Sequence, residues 1–340
     1  MNQKMHKHMM SGISPIIPLL VVASIFMFLF LKLDSLNIQN SLLNEMINVL
    51  NQATQWMYIL VLPVFAGFIA YSIANKPGIV PGLVGGGLAV YATGMIGALV
   101  AGFIAGYLTK YILVLFKNIP NTLKGLSTMV IIPLLSTLLV AFFMLLFNMS
   151  FSQIFRDIEQ ILIQLDLIYA ILFGLIFGIM MAIDMGGPIN KIAFFIGIVS
   201  ISQGRSTMIM ASIMASGMVP PLSIALLTLI NKRKFKYEQN QLAKKNWMMG
   251  LSFMTEGAIP FSAENPKKVM PAIIIGSALA GAFIPLFGTT LSAPHGGILV
   301  LFLMTNWWGF LISLAAGTMI TVILLLILLP NVQEEVVENK

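Results

Sequence analysis

Two long stretches of this chain, residues 77–109 and residues 269–333, contain no Asp, Glu, Lys or Arg. Over all 340 residues, 58% are hydrophobic and only 9% are charged. A soluble domain has too little interior to hide so much apolar surface, so the composition predicts an all-α polytopic membrane protein. At about 20 residues for each crossing, the chain has room for roughly eight to ten spans and none for an additional soluble domain.

The distribution of charge predicts how the chain is oriented. Most basic residues stand at the ends of apolar runs, where Lys and Arg mark the cytoplasmic side. Lys4 and Lys7 precede the first run, and the densest basic loop is Lys232–Lys245, so we expect both segments and both chain termini in the cytoplasm. The net charge of +7 therefore does not indicate a nucleic-acid partner. The chain has no Cys, which excludes disulfides, a thiol nucleophile and a cysteine metal site.

Apolar runs of span length alternate with polar segments. Spans are predicted at Gly12–Leu31, Trp56–Ala74, Val130–Phe147, Leu167–Ile183 and Gly309–Pro330. Two segments, Asp34–Gln55 and Ser150–Leu165, are predicted to form separate interfacial helices. The glycine-rich run after Pro77 leaves two arrangements open: either it re-enters the membrane, or the lysines that follow it lie along the interface.

Glycine and proline spacing predicts where helices pack closely and where they stop. The pairs Gly102/Gly106 and Gly174/Gly178 have the G-x-x-x-G spacing that lets helix backbones approach each other. The sequence Asp-Met-Gly-Gly-Pro at 184–188 interrupts an apolar pattern and is expected to end one helix, with Pro188 in the first turn of the next.

The stretch Leu251–Pro266 places the carboxylate of Glu256 among apolar and small residues, with Gly257 and Pro260 breaking the helix beside it. An ionised Glu at bilayer depth costs about 2.5 kcal/mol or more, so it is expected to have a partner or a use. A broken helix at that depth is tolerated only inside protein or along a water-filled cavity. The stretch therefore predicts a site for a polar ligand; the alternative is a water-exposed loop in which Glu256 is ordinary.

Three groups of residues carry a resemblance to a known family. Asp-Met-Gly-Gly-Pro-Ile-Asn-Lys at 184–191, Met-Thr-Glu-Gly-Ala-Ile-Pro-Phe at 254–261 and Ala-Pro-His-Gly-Gly at 293–297 resemble enzyme IIC, the membrane subunit, of the fructose family of bacterial sugar phosphotransferase systems. Further segments at 66–74, 77–82, 123–126, 131–137 and 217–222 extend the resemblance over nearly the whole chain. Lys76, where relatives commonly carry Arg, and the polar run at 262–265 depart from the family pattern and bear on substrate choice.

The resemblance implies a fold and an architecture. It implies a sugar phosphotransferase IIC of the glucose-superfamily type: a homodimer of about ten-span subunits in the bacterial cytoplasmic membrane. Residues 1–165 would form the dimerisation scaffold and residues 166–340 the sugar-binding half. Re-entrant hairpins in the second half would carry the Thr-Glu-Gly and Pro-His-Gly-Gly stretches, and the sugar site would move between the two membrane faces in an elevator-type motion.

The resemblance also implies partners. Fructose or a related sugar would be the substrate, and the phosphate would come from a phosphocysteine on a IIB unit that a phosphohistidine on IIA has charged. Since this chain has no Cys and no room for a soluble domain, both units are expected on separate polypeptides. The Lys232–Lys245 loop is the predicted docking face, because basic clusters steer phosphorylated partners. No cofactor and no metal are expected.

The same motifs suggest roles for individual residues. Glu256 is the candidate to hold or deprotonate the sugar hydroxyl that attacks phosphorus, and His295 is the candidate to bind or orient that hydroxyl. Thr255 and Gly296 flank them and are expected to contact the sugar. Asp184 and Asn190 are further candidates to accept from and donate to the sugar.

Some of these residues have an alternative interpretation. Asp184 is alternatively a helix-ending residue that pairs with Lys191. Arg205 is interpreted as a boundary or charge-pairing residue, and His6 and His8 as solvated residues that form no metal site. The rival function is a proton-coupled secondary transporter, in which Glu256 or Asp184 takes up a proton and no phosphate is involved.

Overall fold

The computed structural model describes residues 3–36, 40–90, 92–118, 120–163, 166–201 and 206–331. Arg205 and both ends of the chain lie outside these residues. The described part is nearly all helical and divides into two compact units, one formed by residues up to 163 and the other by residues from 166 onward. The predicted roles of the two halves in dimerisation and sugar binding stay predictions.

The first unit contains six α-helices. They are α1 (Gln3–Asp34), α2 (Ser41–Ala74), α3 (Ile79–Ala89), α4 (Gly94–Leu115), α5 (Asn121–Leu126) and α6 (Ile132–Ile163). A π-helical turn, Ser127–Ile131, leads from α5 into α6. His8 lies on α1, where it is only partly buried, and its Nδ1 is 2.7 Å from the Ser72 hydroxyl on α2.

The two predicted interfacial helices are not separate elements. Asn40 caps the start of α2 by accepting from the backbone N–H groups of Leu42 and Leu43, and the helix then runs unbroken from Ser41 to Ala74. Helix α6 likewise continues from the predicted span to Ile163. In α2 the first Gly or Pro is Pro63, which lies within the apolar part, and α6 has none where its apolar and amphipathic parts join. The backbone hydrogen bonding therefore continues from one part into the other.

The glycine-rich run after Pro77 forms one short and one long helix. Helix α3 has 11 residues, a length of about 16 Å, which is roughly half of the hydrocarbon core. It packs against α2: a Cβ added to Gly82 would lie 2.8 Å from the Ala66 carbonyl oxygen. Helix α3 is too short to cross the membrane. Of the two arrangements that the sequence leaves open, this length favours the one in which the run re-enters the membrane.

The G-x-x-x-G prediction for α4 is confirmed by its packing on α2. A Cβ on Gly102 would approach the Ile69 Cβ to 2.8 Å, and one on Gly106 would lie 2.8 Å from the Ile73 Cβ. The absence of side chains at these two positions therefore sets the distance between the two helix backbones.

The second unit contains seven α-helices joined by short 3₁₀ turns. They are α7 (Leu167–Ile183), α8 (Pro188–Ile201), α9 (Met208–Ile230), α10 (Tyr237–Leu251), α11 (Ile259–Glu264), α12 (Pro266–Phe283) and α13 (Trp307–Leu328). Pro188 begins α8 as predicted. Helix α9 is buried along most of its length, and α7, α12 and α13 all pack against it.

Helices α7 and α12 meet backbone to backbone. A Cβ on Gly178 would come within 2.6 Å of the Ala278 Cα, and Gly174 faces the Gly281 carbonyl in the same way. The predicted close-packing pair is thus confirmed. The cluster of buried apolar side chains in this unit joins α7, α9, α10, α11, α12 and α13 and includes Ala182, Met185, Ile224, Leu227, Ala243, Phe261, Ile273 and Leu325.

Seven helices in the described part of the chain are long and apolar enough to cross a membrane. Helices α7 and α8 are apolar but shorter, at 17 and 14 residues. These lengths support a multi-pass membrane protein, while the expected count of ten spans stays a prediction.

Candidate functional site

Three irregular segments of the second unit carry all predicted site residues except Asn190, which lies on α8. The first, Asp184–Gly187, separates α7 from α8, and the second, Ser252–Ala258, separates α10 from α11. The third, Ser292–Gly297, lies in the connection between α12 and α13. Two of the few non-glycine residues with positive φ, Met185 (34°) and Phe253 (65°), lie in the first two segments. Such backbone costs of order 1–3 kcal/mol and collects at functional sites.

Glu256 lies on the 3₁₀ turn Thr255–Ala258, directly beside the Asp184–Gly187 segment. Gly186 has a φ of 98°, and a Cβ there would lie 2.6 Å from Oε1 of Glu256 and 2.8 Å from its Cγ. The side chain of Glu256 is exposed on the surface of the chain, whereas Thr255 and Gly257 on either side are buried. Buried neighbours fix the backbone of the turn and leave the carboxylate free to meet a ligand.

Helix α11, which directly follows the turn, is held in place by Phe261. This side chain is 1% exposed, and its ring centroid lies 5.0 Å from that of Phe235 in a T-shaped arrangement. Pro260 lies in the first turn of α11, where its missing N–H costs no intrahelical hydrogen bond. The helix break therefore lies before Glu256, at residues 252–254, and not at Gly257 and Pro260, which lie in the 3₁₀ turn and in the first turn of α11.

Asn190 connects the first two segments by hydrogen bonds. Its Nδ2 donates to the Met181 carbonyl (2.7 Å) and more weakly to the Thr255 hydroxyl (3.4 Å). The backbone N–H of Asn190 donates to Oδ1 of Asp184 (2.9 Å), and that of Ile189 donates to Oδ2 (2.6 Å). Asp184 therefore ends α7 and caps α8, whereas its predicted pairing with Lys191 is not among the ion pairs of the described residues.

His295 is half-buried beside two phenylalanines. Its ring centroid lies 5.4 Å from that of Phe253 and 6.4 Å from that of Phe194. His295 lies outside the seven candidate spans; burial lowers the pKa of its imidazole, and the negative charge of Glu256 opposes this shift. The imidazole and the carboxylate therefore belong to one electrostatic neighbourhood.

The segment that carries His295 is held in place by backbone contacts. Leu291 and Thr207 exchange two backbone hydrogen bonds of 3.0 and 3.1 Å, and Leu291 also forms a bridge with Met304. Gly297, with a φ of 57°, sits against the Leu251 carbonyl at the end of α10. A side chain there would overlap this carbonyl, so the glycine lets the His295 segment approach the Glu256 segment.

Phe253 lies in the candidate site, and sequence reasoning did not single it out. It is 6% exposed, and its ring contacts Phe194, His295 and the glycine gap at Gly217 on α9. An aromatic residue in an apolar sequence is normally interpreted as a core residue, and no local sequence signal predicts the positive φ of Phe253. Asn246 on α10 was missed for a similar reason: it is 2% exposed, and a Cβ on Gly257 would lie 2.6 Å from its Oδ1.

The arrangement offers an exposed carboxylate, an imidazole and small-residue backbone in one place. Such a set can accept from and donate to the hydroxyl groups of a polar ligand and can hold one hydroxyl for reaction. Among the described residues, no group of three or more His, Cys, Asp or Glu could hold a metal ion.

Fold and geometry together define a polytopic helical membrane protein with a candidate site for a polar ligand on interrupted helices. The family profile described as "Phosphotransferase system, EIIC" matches residues 10–276, which is most of the chain. This chain belongs to the EIIC family of the phosphotransferase system.

Among the proteins that are similar to the chain are two relatives and one solved structure. The "PTS system fructose-specific EIIABC component" of Bacillus subtilis is 39% identical over 335 residues, which cover 97% of this chain and 53% of the relative. The "Fructose permease IIC component" of Bacillus amyloliquefaciens is 42% identical over 278 residues, 81% of this chain and 91% of that one. The chain therefore spans about half the length of the first relative and most of the second.

The solved structure is that of ChbC, the IIC component from the N,N'-diacetylchitobiose-specific phosphotransferase system. It superposes with a TM-score of 0.63 at 13% identity and covers 96% of this chain and 94% of its own. At this identity, the likeness concerns the fold alone.

Proposed function

We propose that this protein is the sugar-translocating IIC subunit of a phosphotransferase system, and that its substrate is fructose or a close relative. One observation carries the proposal: in the second unit of an EIIC-family chain, the segment of the exposed carboxylate Glu256 packs against the segment of His295, whose ring centroid lies 5.4 Å from that of Phe253. The fructose-specific names of the relatives support this choice of sugar.

In this proposal, Glu256 accepts a hydrogen bond from the sugar hydroxyl that attacks phosphorus and takes its proton. His295 orients the sugar, and Thr255 and the backbone at Gly296 complete the contacts. Phosphoryl transfer needs an in-line approach, so positioning supplies most of the catalytic effect. Phe253 and Phe194 hold the imidazole by packing against it.

The phosphoryl donor is a separate chain in this proposal. The B. subtilis relative joins EIIA, EIIB and EIIC in one name, and this chain has no Cys to act as a phosphocysteine. A IIB unit, charged by IIA, would dock on the basic Lys232–Lys245 surface, where Lys232, Arg233, Lys236, Lys244 and Lys245 are exposed.

We further propose a homodimer of about ten-span subunits in the cytoplasmic membrane, with both termini in the cytoplasm. The first unit would form the dimer scaffold and the second would carry the sugar between the two faces. The exposed apolar residues of α6, among them Leu138, Phe142 and Leu145, offer a surface that lipid or a second subunit would cover.

Coupling to phosphate is tested in membrane vesicles. Vesicles containing the protein should accumulate fructose phosphate when IIA, IIB and phosphoenolpyruvate-charged carriers are supplied inside, and should do nothing without them. Uptake of unmodified sugar driven by a pH gradient would overturn the proposal in favour of a proton-coupled transporter.

The substrate is tested by binding of radiolabelled fructose, mannose and mannitol to the purified protein. Saturable binding of one sugar, lost in Glu256→Gln, would support both the ligand and the site. Binding of the same sugar at full strength by Glu256→Gln would refute the role of Glu256.

A further inference from the structure

We propose that Asp184 and Asn190 are positioning residues that hold the Glu256 turn in place, and that neither binds the sugar. The part of this inference that concerns sugar rests on the proposed function. It departs from the expectation that both side chains contact the substrate, and the hydrogen bonds of the two residues are the reason.

The carboxylate of Asp184 is occupied by the start of α8. Its two oxygens accept from two consecutive backbone N–H groups, at 2.6 Å from Ile189 and 2.9 Å from Asn190. A negative charge at a helix N-terminus is stabilised by the unpaired N–H groups and by the helix dipole. Asp184 thereby fixes where α8 begins and at what angle it leaves α7.

The amide of Asn190 has no donor left for a sugar. The residue is 6% exposed, and its Nδ2 donates to both the Met181 carbonyl and the Thr255 hydroxyl. It therefore bridges the last turn of α7 to the residue that precedes Glu256. Thr255 is itself only 3% exposed, so the acceptor end of the bridge is also closed to ligand.

Loss of the Asn190 amide would leave a buried carbonyl and a buried hydroxyl with one partner fewer. The turn would then relax, and Glu256 would move with it because it is the next residue after Thr255. A shift of about 1 Å in a catalytic group can cost about a hundredfold in rate. We expect the effect to be the same for every sugar, because the defect is in the turn.

The first test measures the turn directly and needs no substrate. The chain has no Cys, so a spin label on Met254→Cys is unique, and Met254 is 44% exposed. We expect an immobilised spectrum in this parent protein and a clearly more mobile one after Asn190→Ala. An unchanged spectrum in a folded Asn190→Ala protein would overturn the inference.

A matched control is Asn240→Ala. The Asn240 amide likewise donates two hydrogen bonds, to the backbone carbonyls of Lys232 (2.9 Å) and Phe235 (3.1 Å), and neither acceptor lies in the turn. This change should leave the spectrum of the label at residue 254 as it was. If Asn190→Ala does not fold, Asp184→Ala tests the same anchor from its other end and should also mobilise the label.

The second test compares sugars. Asn190→Ala should lower kcat/KM for phosphorylation of each transported sugar by about the same factor, roughly tenfold to hundredfold. Asp184→Asn should keep part of the activity that Asp184→Ala loses, because its single amide oxygen can still accept from one of the two backbone N–H groups. A tenfold or greater change in preference between two sugars would instead identify a lost sugar contact and overturn the inference.

The two tests separate the failure of this inference from the failure of the proposed function. If the parent protein phosphorylates no sugar under any supply of IIA and IIB, the proposed function fails, and the spin-label spectra alone decide whether Asp184 and Asn190 hold the turn.

Discussion

The α-carbon of Gly186 lies so close to Glu256 that a methyl group on it would come within 2.6 Å of the carboxylate oxygen Oε1. Gly186 also has a φ of 98°, which L side chains rarely adopt. The missing side chain of Gly186 therefore leaves the space that the Glu256 carboxylate occupies.

Gly186→Ala should lower sugar phosphorylation about tenfold or more, because the new methyl group strains the backbone and displaces the Glu256 side chain. Phosphorylation is measured in vesicles with IIA and IIB. The matched control is Gly125→Ala, whose added methyl group would have no atom within 4 Å. Equal activity of the two variants would contradict the packing described for Gly186.

Glu256→Gln should reduce phosphorylation by at least about a hundredfold, because an amide cannot take the proton of the attacking hydroxyl. Glu45→Gln is the control, since Glu45 is an exposed carboxylate on α2 in the first unit. Size-exclusion profiles of both variants should match that of the parent. Near-normal phosphorylation by folded Glu256→Gln would refute the assignment.

His295→Phe should keep the aromatic packing against Phe253 and Phe194 but remove both ring nitrogens. We expect an unfolding temperature near that of the parent protein, together with a loss of phosphorylation of about a hundredfold. His295→Gln, which can still form hydrogen bonds, should recover part of this loss. If His295→Phe is as active as the parent, the imidazole has only a packing role.

Gly178→Ala should destabilise the second unit by about 1–3 kcal/mol, because α7 and α12 would have to separate. The added Cβ would lie 2.6 Å from the Ala278 Cα, whereas one on Gly87 would meet nothing nearer than the Pro63 ring at 4.0 Å. The temperature of thermal unfolding in detergent should therefore fall for Gly178→Ala and stay unchanged for Gly87→Ala. An equal effect of both changes would argue against the close contact between α7 and α12.

Much of the fold was predictable from local sequence. The apolar runs at Gly12–Leu31 and Gly309–Pro330 became helices, and Pro188 began α8 as its fixed φ requires. Local reasoning failed where amphipathic and apolar segments join: α2 and α6 pass through both, because polarity changes which face a helix buries but does not end the helix.

The candidate site was predictable in its residues but not in their relations. Glu256 and His295 stand out because charged and imidazole side chains are expensive in an apolar chain. Nothing in the sequence predicts that the Asn190 amide donates hydrogen bonds to Met181 and Thr255. Phe253 gives no signal either, since its role depends on rings that are far away in the chain.

The sequence by itself determined that this chain is a polytopic helical membrane protein, where its helices break, and which polar side chains need a use. These properties depend on transfer free energies and backbone preferences, which act over a few residues. Only the tertiary structure decided that Gly186, Asn190 and His295 gather around the Glu256 turn. Their meeting depends on packing between segments up to about a hundred residues apart, and local sequence contains no record of such distances.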